Sequence, residues 1–337
     1  MARRTARTWA RLTVGATALA LLGAGSPIGG ATSVAGTALA GCEPDGSSLS
    51  AARAKPGSHG EDPNSVTASQ AAALDRLLQR RVDRLTRQGR LTNSARLVGR
   101  RPYEVTTHVH VITRDDGTGG VTEQQIADQI RVLNQAFAGG RVAGGWSAGT
   151  PFRFAVQSVD YTANDAWFDW HLDEDFVDED AEAKAAKEAL HVGTLDDLNI
   201  YIAGLGDGLL GYANYPGDGT PLVYDGLVLL NESLPGGAAE PYNLGDTATH
   251  EVGHWLGLFH TFENACVAPG DYVADTPYQY DGENIFECIE SDNTCRQPGR
   301  DPVHNFMSYG DDQCLDRFTV GQSLRMRQSW AAFRYRR

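Results

Sequence analysis

His250-Glu251-Val252-Gly253-His254-Trp255-Leu256-Gly257-Leu258-Phe259-His260 is the stretch on which the reading of this chain turns. It matches H-E-x-x-H-x-x-G-x-x-H at every defined position. On a helix, His250 and His254 differ by roughly 40° in azimuth and ~6 Å in rise, so both imidazoles look at one point, as zinc capture requires. A helix continued through His260 would carry that side chain ~9 Å beyond His254 and about 100° off the shared face. Gly257 removes the difficulty, because glycine readily takes the left-handed conformation that ends a helix. The chain can then turn and return His260 as third ligand. The helix is expected over about 247–257, with Asp246 as its N-cap.

Three neutral histidines leave a zinc ion its 2+ charge and one open position for water. Glu251, beside the first ligand, is placed to take that water's proton and later deliver it to a leaving amine. A closed structural zinc site would use four Cys/His ligands and needs no glutamate. The residues therefore point to a zinc-dependent endopeptidase with one catalytic Zn2+. Two other classes share these residues. One is a catalytically dead binding module, to which the intact Glu251 is the objection. The other is a hydrolase of non-peptide amides.

Upstream, Val105, Thr107, Val109 and Val111 alternate with Thr106, His108 and His110 as a strand should. Thr122 and Gln125 form a capping box opening a helix that buries Ile126, Ile130, Leu133 and Phe137. Further strands are expected at 152–159, 198–203, 211–214 and 227–230. The acidic run Asp173 to Glu182 reads as a solvated surface. Together these describe an α+β catalytic domain over 102–337.

The chain carries 29 Lys/Arg against 43 Asp/Glu, a net charge of −14. Residues 1–101 are basic by 9 and residues 102–337 acidic by 23. An acidic domain lacks the footprint that a phosphate backbone needs, so nucleic-acid binding is not expected. Arg3, Arg4, Arg7 and Arg11 precede a short apolar run, Leu12 to Leu22, as in an export signal too short to span a bilayer. A signal peptide over 1–40 would end at Ala38-Leu39-Ala40. Leu39-Ala40-Gly41-Cys42 also resembles a lipoprotein box, and cleavage nearer Ser26 is a third option. Secretion is expected, with lipid anchoring through Cys42 as the alternative and the one route to a membrane. A prosegment is read over 41–101. It holds a flexible stretch to 65, then an amphipathic helix over 66–88 with Leu74, Leu77, Leu78, Val82 and Leu85 on one face. The basic stretch Arg96 to Arg101 suits proteolytic nicking. Four late cysteines, Cys266, Cys288, Cys295 and Cys314, imply two disulfides in an exported chain, with three pairings open.

The extended zinc motif resembles the metzincin metalloproteases. Asn305-Phe306-Met307-Ser308-Tyr309 looks like their methionine turn. With Gly270 to Pro277, the four cysteines and Phe318-Thr319-Val320-Gly321-Gln322, the chain is similar to the pappalysin (M43) family, over roughly 102–330. That resemblance implies a metzincin-type zincin fold with a twisted mixed sheet, a backing helix and an active-site helix. It implies peptide or protein substrates and synthesis as a zymogen. Met307 would be an apolar floor beneath the zinc, and Tyr309 would stabilise the oxyanion. Cys266–Cys295 and Cys288–Cys314 would be the disulfides. Asp271, Asp275 and Thr276 would lie in a calcium-binding loop. Gly211 to Asn214 would be the edge strand along which substrate lies extended. Cys42 would be a thiolate occupying the open zinc position before activation, although Glu43 and Pro44 depart from the family's Cys-Gly-Thr. An incidental cysteine and the lipid anchor are its other readings. Asp311 and Asp312 follow the methionine turn, where the primed-side wall is shaped in metzincins, and lead to an expected preference for Arg or Lys there.

Overall fold

Tyr103–Thr113 forms β1, the strand around which the sheet is assembled. The computed structural model describes residues 55–56, 66–91, 102–140, 147–172, 179–206 and 208–335. The export signal, Cys42 and the Arg100-Arg101 pair lie outside them. β1 pairs in parallel with β2 (Phe152–Ala163) and with β4 (Leu198–Leu205). β4 pairs in parallel with β6 (Leu227–Leu230), whose other neighbour is the antiparallel edge strand β5 (Gly211–Ala213). A two-residue strand, β3 (Asp169–Trp170), pairs with the end of β4, off the path β2-β1-β4-β6-β5. One antiparallel edge makes the sheet mixed.

Parallel neighbours require crossovers, and two helices supply them on opposite faces. α2 (Glu123–Phe137) opens with the capping box of Thr122 and Gln125 and buries Ile126, Leu133 and Phe137. These meet Val105, Val109 and Val111 of β1 in the main core, which also holds Ala248, Val252 and Trp255 of α5 (Asp246–Trp255). A short helix, α3 (Asp165–Phe168), precedes β3. The other sheet face carries α4 (Ala181–Leu190), whose Ala183 and Ala186 cover Ile112, Tyr201, Ala203 and Val228. β1 is therefore buried on both faces, polar side included. His110 sits between Asp160 (Nδ1–Oδ2 2.7 Å) and Asn199 (Nε2–Oδ1 3.0 Å), and His108 Nδ1 contacts Ser158 Oγ at 2.6 Å.

The acidic run is corrected in part. Asp180 caps α4, its side chain accepting from the Ala183 N–H, and Glu179 is buried in an ion pair with the fully buried Lys187. α4 has an alanine-rich buried face, too weakly apolar to stand out by periodicity.

Beyond α5 the chain is mostly irregular until α6 (Val320–Ser329), which opens with the Thr319–Gln322 capping box and runs into a π-helical turn, Trp330–Arg334. Disulfides join Cys266 to Cys295 and Cys288 to Cys314 across the irregular part. α1 (Ala68–Arg87) packs on this C-terminal region, with Leu78 and Val82 against Ala331, Ala332 and Phe333. Among the described residues no helix is long and apolar enough to cross a membrane.

Candidate active site

α5 is held at both ends by charges from distant segments. Its N-cap is Gly245, at φ +99°, with Asp246 as the first helical residue and not the expected cap. The carboxylate comes from elsewhere. Asp312 Oδ2 accepts from the N–H groups of Leu244, Gly245 and Asp246 at 2.7, 3.0 and 3.3 Å, where the helix dipole favours negative charge. At the other end Arg334 Nε donates to the Trp255 carbonyl at 2.8 Å, and its guanidinium grips Asp225 at 2.7 and 3.1 Å. The expected place of Asp312 on the primed-side wall is thus overturned. Asp312 is buried under the helix, and Asp311 Oδ1 accepts from the N–H groups of Gln313 and Cys314. A short carboxylate next to unpaired amides is drawn to them.

The helix ends as its glycine requires. Leu256 is the C-cap and Gly257 has φ +90°, after which the chain doubles back. His250 and His254 Nε2 stand 3.0 Å apart, His254 and His260 3.0 Å, and His260 and His250 3.2 Å. All three rings are buried, as is Glu251 in the same turn of α5. His250 Nδ1 donates to the Phe306 carbonyl at 2.6 Å, and His254 Nδ1 lies 2.8 Å from the Leu258 carbonyl and 3.0 Å from Tyr215 Oη. A proton on Nδ1 leaves the Nε2 lone pairs aimed at one another. Burial pushes the His254 imidazole down to about 4 and the His260 imidazole well below its ordinary value, so both are neutral near pH 7. Three converging lone pairs repel unless a cation lies between them. A tetrahedral zinc with ~2.05 Å bonds would set nitrogens ~3.3 Å apart, close to what is seen. The residues fit zinc.

Met307 is fully buried against α5, in the space that Gly253 leaves open; a Cβ at Gly253 would stand 2.3 Å from Met307 Sδ. The methionine turn is clamped by Asn305, whose side chain exchanges hydrogen bonds with Gln322 and accepts from Met307 N–H at 2.9 Å. Tyr309 packs its buried ring 4.9 Å from His260 and 5.7 Å from His250. β5 runs beside α5, with Gly211 so close that a Cβ there would meet Thr247 Cγ2 at 3.0 Å and the Val228 carbonyl at 2.8 Å.

The expected calcium residues divide. Asp271 Oδ2 and Thr276 Oγ1 are buried oxygens lacking a hydrogen bond of normal geometry, and burial pushes the Asp271 carboxyl up to about 7. Asp275 instead serves α6, accepting from Thr319 Oγ1 at 2.7 Å and Gly321 N–H at 2.9 Å.

Sequence reasoning missed Gly253, the Phe306 carbonyl, Arg334 and Tyr215, and gave Asp312 a different role. Only Gly253 carried a signal, a glycine inside an otherwise helical pattern.

The profile of the peptidase M43 family, described as pregnancy-associated plasma protein-A, matches residues 188–331. An extracellular metalloprotease of Colletotrichum graminicola is 42% identical over 250 residues, covering 72% of this chain and 81% of that protein. Extracellular metalloprotease 1 of Coccidioides posadasii is 38% identical, covering 69% and 79%. Among solved structures, mature mirolysin of Tannerella forsythia in complex with a cleaved peptide is similar with TM-score 0.54 and 27% identity, over 67% of this chain and 90% of that one. A promirolysin mutant from the same organism is similar with TM-score 0.57 and 25% identity, over 75% and 87%.

Proposed function

The chain belongs to the M43 peptidase family and is a metalloprotease, and from that premise we propose that it is a secreted zinc endopeptidase made as a zymogen. One observation carries the reading: three imidazole Nε2 atoms 3.0–3.2 Å apart, from a helix and its return turn, with Glu251 on that helix. His250, His254 and His260 would hold the zinc. When bound, zinc supplies Lewis-acid polarisation of water and of the carbonyl under attack. Glu251 takes the proton of the attacking water and returns it to the leaving amine nitrogen. Its burial keeps solvent from competing for that proton. The Tyr309 hydroxyl donates to the oxygen on which negative charge develops. β5 offers an extended peptide its edge, aligning the scissile bond above α5. Phe306 and Leu258, through their carbonyls, keep the ligand rings in the tautomer that binds metal.

Residues 1–40 would be the export signal, 41–101 the prosegment and 102–337 the catalytic domain. The naming of the relatives as extracellular and the likeness to a promirolysin support this division. So do contacts from the prosegment: Lys55 N–H donates to the Gly208 carbonyl just before β5, and α1 packs on the C-terminal region. Cys42 is the residue proposed to block the site. A Cys42→Ala precursor with the 100–101 junction made uncleavable should cleave peptide while the uncut parent does not; equal inactivity of the two would defeat that role. Calcium is proposed at Asp271 and Thr276, hard oxygens that suit it.

The reading is tested by casein or peptide cleavage with the purified mature protein. Activity should vanish with a zinc chelator and return with one equivalent of zinc. Zinc-loaded protein that cleaves no peptide bond would sink the proposal and favour a binding module.

A further inference from the structure

One face of α1 is shaped for a groove. Ala71, Leu78 and Val82 are buried along a single stripe, with Leu74 and Leu85 half-buried beside them, while Arg76, Arg80, Arg84 and Arg87 face solvent. The stripe has two apolar seats. Ala71 rests on Tyr215 and Phe259, and Leu78 and Val82 on Ala331, Ala332 and Phe333. Between them lies a polar key, Arg325 Nη1 donating to Asp75 Oδ1 at 2.6 Å, with Arg325 only 6% exposed. Arg325 is fixed from the catalytic side too, by its Nε bond to the Gly257 carbonyl (2.8 Å) and by the Phe259 ring 4.9 Å away. Arg81 adds a bond to the Ala332 carbonyl at 3.0 Å and covers the Phe333 ring.

Two physical consequences bear on the fate of α1 once the prosegment is cut. These contacts, with those of Leu85 and Leu91 in the same cluster, all lie before residue 92, so a cut between 92 and 101 breaks none of them. Departure of α1 would uncover Tyr215, Phe259 and Phe333 together and leave the Arg325 guanidinium without its carboxylate, a costly combination. The groove also flanks the zinc triad instead of filling it. An occupant there need not leave for substrate to enter.

We propose that the groove of Tyr215, Phe259, Arg325, Ala331 and Phe333 is a lasting peptide-binding site, and that α1 stays in it as a separate peptide after the prosegment is cut. The mature enzyme is then a two-chain protein. The groove selects a helix with a small residue, a carboxylate four positions on, and aliphatic residues three and seven beyond that, as at Ala71, Asp75, Leu78 and Val82. The proposal rests on the zymogen reading only for the natural cut, so its test supplies the cuts artificially.

In the full chain carrying Glu251→Ala, which silences self-cleavage, sites for a specific protease are placed within 57–65 and within 92–101. After digestion, the released piece containing α1 should co-elute with the catalytic domain on size exclusion. Asp75→Lys should weaken its retention at least tenfold, with melting of the uncut variant by circular dichroism establishing that it is folded. A wild-type piece that separates as fully as the Asp75→Lys piece would overturn the proposal. So would unchanged retention in both Asp75→Lys and Leu78→Glu. Neither result depends on peptidase activity.

Discussion

Glu251 and His254 share a helix, yet their removal should separate chemistry from metal binding. Glu251→Ala leaves three imidazoles in place, so zinc content should stay at one equivalent while turnover falls by roughly 10²–10⁴ or more. His254→Ala removes the central ligand, and metal analysis should find the zinc lost. A Glu251→Ala protein retaining a substantial fraction of activity would show that the proton shuttle is assigned to the wrong group. Gly253→Ala tests the packing of Met307 against α5. Its Cβ would stand 2.3 Å from Met307 Sδ in a close-packed core, and such overpacking costs typically ~1–3 kcal/mol. A lower melting temperature is expected, and an unchanged one would mean that Met307 moves freely.

At the scale of the element, α5 is only ten residues long and is kept in register by partners far along the chain. Arg334 and Asp225 are both almost fully buried, so Arg334→Ala leaves a buried carboxylate unpaired. The expected cost is ~3–5 kcal/mol, read from urea unfolding. Asp312→Ala strips three amides of a charged acceptor and should cost ~1.5–3 kcal/mol. The loop before the 3₁₀ turn at Glu283–Phe286 gives a pH signature. Burial pushes the Asp281 carboxyl up to about 6, with Oδ1 lacking a hydrogen bond. The folded state then holds a proton that the unfolded chain releases near pH ~4. Stability from this group is present below that point and lost as pH rises through about 6. Asp281→Asn should flatten the fall in urea midpoint between pH ~4 and ~6, and an unaltered slope would place its origin elsewhere.

For the whole molecule, the segment between α5 and α6 forms the wall of the site with almost no regular structure of its own. The disulfides, closing separations of 29 and 26 residues, replace the hydrogen-bond ladders it lacks. Replacing Cys288 and Cys314 by serine should cost about 3 kcal/mol by loop entropy, with a matching drop in melting temperature. The calcium proposed at Asp271 and Thr276 would act on the same segment. Removing it with a calcium-selective chelator should lower the melting temperature without changing zinc content, and Asp271→Asn should abolish that response.

Local periodicity made much of this legible in advance. The helix period brings His250 over His254, and a single glycine returns His260, so the histidine triad is encoded within eleven consecutive residues. The capping box at Thr122 and the alternation in β1 are equally local, and they place the backing helix and the sheet. α4 escaped because alanines bury without an apolar signature. What only the tertiary structure decided is held by pairs far apart in sequence: Asp312 beneath the N-terminus of α5 some 67 residues upstream of it, Phe306 behind His250 at 56, Arg334 on Asp225 at 109 and Arg325 on Asp75 at 250. No spacing along the chain records such pairs. Each forms because folding buries a charge or an amide beside a complementary group, and which group lies nearest is fixed only when the elements have packed.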